Sequence, residues 1–84
     1  MNGPPNSNMR RYGNAAINNA ANGRVNQAIN ARNNLVNSAK NVSPENVKRA
    51  LNYIGVVDEK LARIIGILNS NLVMKPKTFR FNSN

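Results

Sequence analysis

Apolar residues recur along this chain at helical spacing, in two distinct styles. Between Asn14 and Asn41, the residues Ile17, Ala20, Ala21, Val25, Ala28, Ala31, Leu35, Val36 and Ala39 fall on one side of a helix. The opposite side carries Asn19, Asn22, Asn26, Asn30, Asn33, Asn37 and Asn41, spaced 3-4-4-3-4-4. Between residues 44 and 71 the stripe is bulkier: Ala50, Tyr53, Ile54, Val57, Leu61, Ile64, Ile65 and Leu68, continued by Leu72. A narrower second strip holds Leu51, Gly55, Ala62 and Gly66, while Val56 and Ile67 sit among polar positions. Val42-Ser43-Pro44-Glu45 separates the two segments, with a serine suited to an N-cap, a proline at the first helical position and an acid in the first turn. The pattern predicts an all-α fold: helices over 14–41 and 44–71, each about 40 Å long, joined by a short turn into an antiparallel two-helix hairpin.

Both helices also show an 11-residue period. Residues 49–59 (RALNYIGVVDE) align with 60–70 (KLARIIGILNS), with Ile54/Ile65 and Gly55/Gly66 identical. Eleven residues in three turns is about 3.67 per turn, so the stripe runs almost straight. A heptad frame through Val47, Leu51, Ile54, Asp58 and Leu61 would put Asp58 in the seam, which favours the 11-residue frame. Apolar residues nearly all round the second helix predict burial on several sides. For a hairpin this means completion by an oligomer or a larger assembly. Gly55 and Gly66 each weaken a helix, so a close backbone crossing at both levels is the expected reason for them. Leu51, Gly55, Val56, Gly66 and Ile67 are therefore candidate partner-interface residues.

The flanks look different. Residues 1–13 contain Gly3, Pro4, Pro5, Asn6, Ser7 and Gly13 without apolar period and read as a basic arm, flexible or ordered on a partner. Residues 73–84 leave the helix at Pro76 and read as an extended C-terminal arm. Lys77-Thr78-Phe79-Arg80-Phe81 alternates there and puts Phe79 and Phe81, the chain's two phenylalanines, on one face. These two residues complete the candidate interface set.

Composition then narrows the function. Cysteine and histidine are absent and only Glu45, Asp58 and Glu59 are acidic, which removes disulfides, thiolate and imidazole metal sites and the usual nucleophiles and bases. No catalytic, cofactor-binding or metal site is expected, and no small-molecule substrate. Twelve Lys/Arg give a formal charge of +9, which favours an anionic partner. The candidate anion contacts are Arg10, Arg11, Arg24, Arg32, Lys75, Lys77 and Arg80. Arg24, Arg32 and Lys40 recur every eight residues and drift around the helix, so they form no continuous ridge. The asparagine face reads as a neutral solvent face, a packed polar interface in which amides pair, or a nucleic-acid contact.

Three functions fit these features. The first is a non-enzymatic structural or assembly subunit, packed with copies of itself or other proteins in a virus particle or filament. The second is a nucleic-acid-binding protein using its basic arms, and the third a cationic protein on a membrane surface. No apolar run reaches the roughly 20 residues of a membrane span and no secretory signal is visible. The expected setting is the cytoplasm or the interior of a particle, with membrane association the least favoured.

Overall fold

The computed structural model describes residues 3–72, and these are all helical in architecture with no strand among them. Three helices form instead of two. Helix α1 spans Ser7–Ala21, α2 spans Val25–Ala39, and α3 spans Val47–Leu72 after a short 3₁₀ turn at Pro44–Asn46. The side chains of α3 are described as far as Leu68.

Helix α1 begins inside the segment expected to be an arm. Asn6 is its N-cap: the backbone is extended there, and the side-chain oxygen accepts from the Met9 amide at 2.9 Å. That contact satisfies one of the open N–H groups of the first turn. Gly13 was expected to break the chain, yet it lies inside α1 and is buried. The ring of Tyr53 from α3 occupies the space beside it. An added Cβ at Gly13 would meet the Tyr53 Oη and come within 3.0 Å of two ring carbons. The glycine is there for packing.

The expected helix over 14–41 is interrupted at residues 22–24. Gly23 has φ +79°, the left-handed region open to glycine. Its amide bonds to the carbonyl of Ala20 at 3.0 Å, and the Arg24 amide reaches the carbonyl of Asn19 at 2.8 Å. This pair of bonds is the Schellman arrangement, with glycine at the position just past the helix cap. Where an apolar contact usually seals that motif, the Arg24 Nε donates to the Asn19 Oδ1 at 2.9 Å. Asn22 Nδ2 donates to the Asn18 carbonyl at 2.8 Å. The asparagine stripe thus crosses a helix end, and two of its members help to cap it. Carbonyls satisfied in this way remove the cost of stopping, whereas a glycine in a helix interior costs about 1 kcal/mol.

Reversal at Gly23 lays α2 back against α1 with alanines between them. Ala16 and Ala20 from α1 and Ala28 and Ala31 from α2 are buried. Small side chains let backbones approach closely, while each contributes little apolar area. The larger core residues come mainly from α3, whose Val57, Leu61 and Ile65 join Ala50, Met9 and Leu35. Tyr53, Ile54 and Ile64 pack at the margin. The broad α3 stripe expected from the sequence is therefore the core face, and both α1 and α2 cover it. Much of the apolar excess that pointed to outside neighbours is met within the chain.

The turn between α2 and α3 follows the sequence closely, with one difference. Ser43 makes no side-chain cap to the backbone; its hydroxyl accepts from Asn46 Nδ2 at 3.1 Å. Contacts fix the directions: Gly13 meets Tyr53, Arg49 reaches Gly3 and Pro4, and Arg32 reaches Asp58. Hence α1 runs parallel to α3, and α2 is antiparallel to both. At 1.5 Å per residue α1 and α2 are each about 22 Å long and α3 about 39 Å.

Candidate interaction surfaces

Among the described residues no group of three or more acids could hold a metal ion. The best-organised polar feature is an ion pair between α2 and α3. Arg32 donates Nε to Asp58 Oδ1 at 2.9 Å and Nη2 to Oδ2 at 2.8 Å. This two-pronged geometry is the strongest form of such a pair. The two side chains are 18% and 24% exposed, so the pair is only partly shielded from water. Hydrogen bonding to Asp58 raises the proton affinity of Arg32 further, against the effect of burial. Asp58 thus does sit at the seam between helices, where the heptad frame would place it, and Arg32 meets the charge. The pair is symmetric about Glu45, the middle of the turn, since 26 residues separate its members. A hairpin register folded at that residue could have revealed it.

A second polar feature ties down the N-terminal segment. Arg49 donates Nε to the Gly3 carbonyl at 3.0 Å and Nη2 to the Pro4 carbonyl at 3.3 Å. Pro4 is buried beneath. Nothing in the sequence pattern marks Arg49 as a pin, because its partners are backbone oxygens. Nearby, burial raises the Tyr53 phenol above its usual value, and the charge of Arg10 opposes that shift.

The candidate interface residues fall on the outer surface of α3. Leu51 and Ile67 are each 61% exposed, and Val56 is half-buried. Gly55 and Gly66 make no close crossing among the described residues, since an added Cβ at either would have no neighbour within 4 Å there. Leu51, Gly55 and Gly66, with half-buried Ala62, form a line on α3 just outside Asp58. Val56 and Ile67 lie elsewhere around the helix, beside Lys60 and Arg63, so the set is two surfaces and not one. On α2, half-buried Ile29 and Val36 stand outside the core, on the side that carries Arg32. Phe79 and Phe81 lie outside the described residues.

The candidate anion contacts scatter. Arg10 and Arg11 are exposed at the start of α1, with Arg11 over the Tyr12 ring at 5.5 Å. Arg24 lies at the opposite end and is engaged by Asn19. Arg32 is committed to Asp58. Lys75, Lys77 and Arg80 lie outside the described residues. Comparison with known families, characterised proteins and solved structures finds no match. The surfaces must speak for themselves. Asn26, Asn30, Asn33, Asn37 and Asn41 are all exposed, which makes the stripe on α2 the outer face of the bundle. No helix of the described residues is long and apolar enough to cross a membrane.

Proposed function

We propose that this chain is a non-enzymatic assembly subunit that associates with further copies of itself through the outer flank of α3. The observation that carries the reading is the open apolar line of Leu51, Gly55, Ala62 and Gly66, continued on α2 by Ile29 and Val36. The charges beside it nearly cancel: Arg32 pairs with Asp58, and Glu59, next to Gly55 and Ala62 on the helix, approaches Arg63 at 3.9 Å, which leaves Lys48 beside Leu51. Two chains of formal charge +9 repel over most of their surface. A face of low net charge is where like-charged copies meet at least cost, and open glycines admit a second helix to close range. A core half made of alanine adds a motive, because so small a domain has little apolar burial to spare and gains from covering more. Such a subunit would suit a particle or a filament.

Sedimentation of the purified protein across concentration tests the reading. Association should appear and should strengthen near 1 M salt, where the screening length falls to about 3 Å, because salt removes the repulsion and leaves the apolar contact. Leu51→Lys should abolish it. A monomer at every concentration and salt level would sink the proposal.

A further inference from the structure

The fold gathers cations that the sequence keeps apart. Parallel α1 and α3 start at the same end of the bundle, and α2 finishes there. That end carries Arg10 and Arg11 in α1, Lys48 and Arg49 in α3, and Lys40 just after α2. Glu45 in the intervening turn is the one carboxylate among them. Neither ion pair of the described residues involves these five groups: Arg32 pairs with Asp58 farther along the bundle, and Arg63 approaches Glu59 at 3.9 Å. Arg49 spends two donors on backbone carbonyls yet keeps its full charge. The bundle is 45 × 23 × 21 Å, so the five charges crowd one end of a narrow rod.

We infer that this end is a docking surface for the phosphate backbone of a nucleic acid. Crowded like charge costs folding free energy unless counter-charge is supplied, and at this end Glu45 alone supplies any from within the described residues. Phosphates supply that charge without a shaped pocket, because affinity comes chiefly from released counterions. Three of the five cations are arginines, whose planar forks suit phosphate oxygens. The Asn8 and Asn52 amides at the same end are exposed and offer neutral hydrogen-bonding groups to backbone oxygens. A membrane surface fits less well, because an interfacial helix lies flat with its apolar face down. Here the helices meet the cationic surface end-on. The inference does not rest on the assembly reading, since that face runs along the side of α3.

Two charge-matched variants test it. Arg10→Gln/Arg11→Gln/Lys48→Gln neutralises the proposed surface, and Arg24→Gln/Lys60→Gln/Arg63→Gln removes the same charge elsewhere from exposed sites. Binding of a labelled oligonucleotide duplex is followed by anisotropy from low to moderate salt, with circular dichroism confirming that both variants fold. Each lost phosphate contact lowers the log–log salt slope by about 0.9, so the first variant should lose up to about 2.7. The second should keep the parent slope. Equal losses in both variants would show that only net charge matters and overturn the assignment of the site. Absence of binding at low salt, or tighter binding to polyglutamate or to phosphatidylserine vesicles than to the duplex, would overturn the partner class.

Discussion

Gly23→Ala separates the broken first helix from a continuous one by the sign of its effect. In an unbroken helix over 14–41 the change would remove an interior glycine and stabilise the chain by about 1 kcal/mol. In the observed fold Gly23 has φ +79°, and alanine there adopts a left-handed conformation that costs about 1–2 kcal/mol. The two expectations thus differ by roughly 2–3 kcal/mol. No packing term blurs the comparison, since an added Cβ at Gly23 meets nothing within 4 Å. Urea unfolding followed by far-UV circular dichroism reads the difference. At about 4–8 °C per kcal/mol for a domain of this size, a thermal melt shows it too. Gly23→Asn serves as the control, because asparagine tolerates the left-handed region; it should cost less than alanine. A stabilised Gly23→Ala protein would refute the turn and restore the single long helix.

Gly13→Ala should destabilise the parent by about 0–2 kcal/mol, since a helix-propensity gain of about 1 is outweighed by displacing the Tyr53 ring. In a Tyr53→Ala background the same change should stabilise by about 1 kcal/mol; equal effects in the two backgrounds would remove the contact from the account. Asp58→Asn should cost about 1 kcal/mol in urea melts, because it weakens a two-pronged but partly exposed ion pair, and the cost should shrink in an Arg32→Met background. Tyr53 titrates higher in the fold than its ordinary value of 10.0, so its contribution is intact below pH 10 and fades as pH climbs through the folded value. Stability should therefore fall less steeply above pH 10 in Tyr53→Phe than in the parent, and parallel pH profiles would contradict this.

Helix class and the core face of α3 were legible because bulky residues at 3-4 spacing leave little choice about what is buried. Ser43-Pro44 likewise marked the second turn. The first turn was obscured by the asparagine period, which continues through Asn22 and Asn26 although the helix stops between them. Asparagine serves both helix exterior and helix end, so its spacing alone cannot tell the two apart. Asn22-Gly23 was the better signal, since glycine past a helix end is the commonest stop. At the N-terminus Gly3, Pro4 and Pro5 hid the cap at Asn6, and Gly13 looked like a breaker because its partner, Tyr53, lies 40 residues away in sequence. The Arg49 contacts with Gly3 and Pro4 carried no readable signal. As for the surfaces, the exposure of Leu51 and Ile67 agrees with their isolation from the main stripe, whereas the gathering of cations at one end required knowing that α1 turns back.

The 11-residue period also takes on a different meaning. A repeat in a straight helix repeats every face of it. Ala50/Leu61 and Ile54/Ile65 recur on the core side, and Leu51/Ala62 and Gly55/Gly66 recur on the flank. The period therefore says that α3 is a straight rod with a constant profile, and cannot say which face meets the chain's own helices and which meets a partner. That depends on how many helices the chain supplies. With one neighbour, the broad stripe itself would have needed outside cover. With two, the break at Gly23 provides both walls, and what is left over is the glycine flank and, on another side of α3, exposed Ile67 with half-buried Val56. A chain that folds its first half back upon itself thus reduces the open apolar surface of α3 from most of a helix to two narrow strips. The same fold-back brings Arg10, Arg11, Lys40, Lys48 and Arg49 to one end, while Arg24, Lys60 and Arg63 stay elsewhere on the bundle.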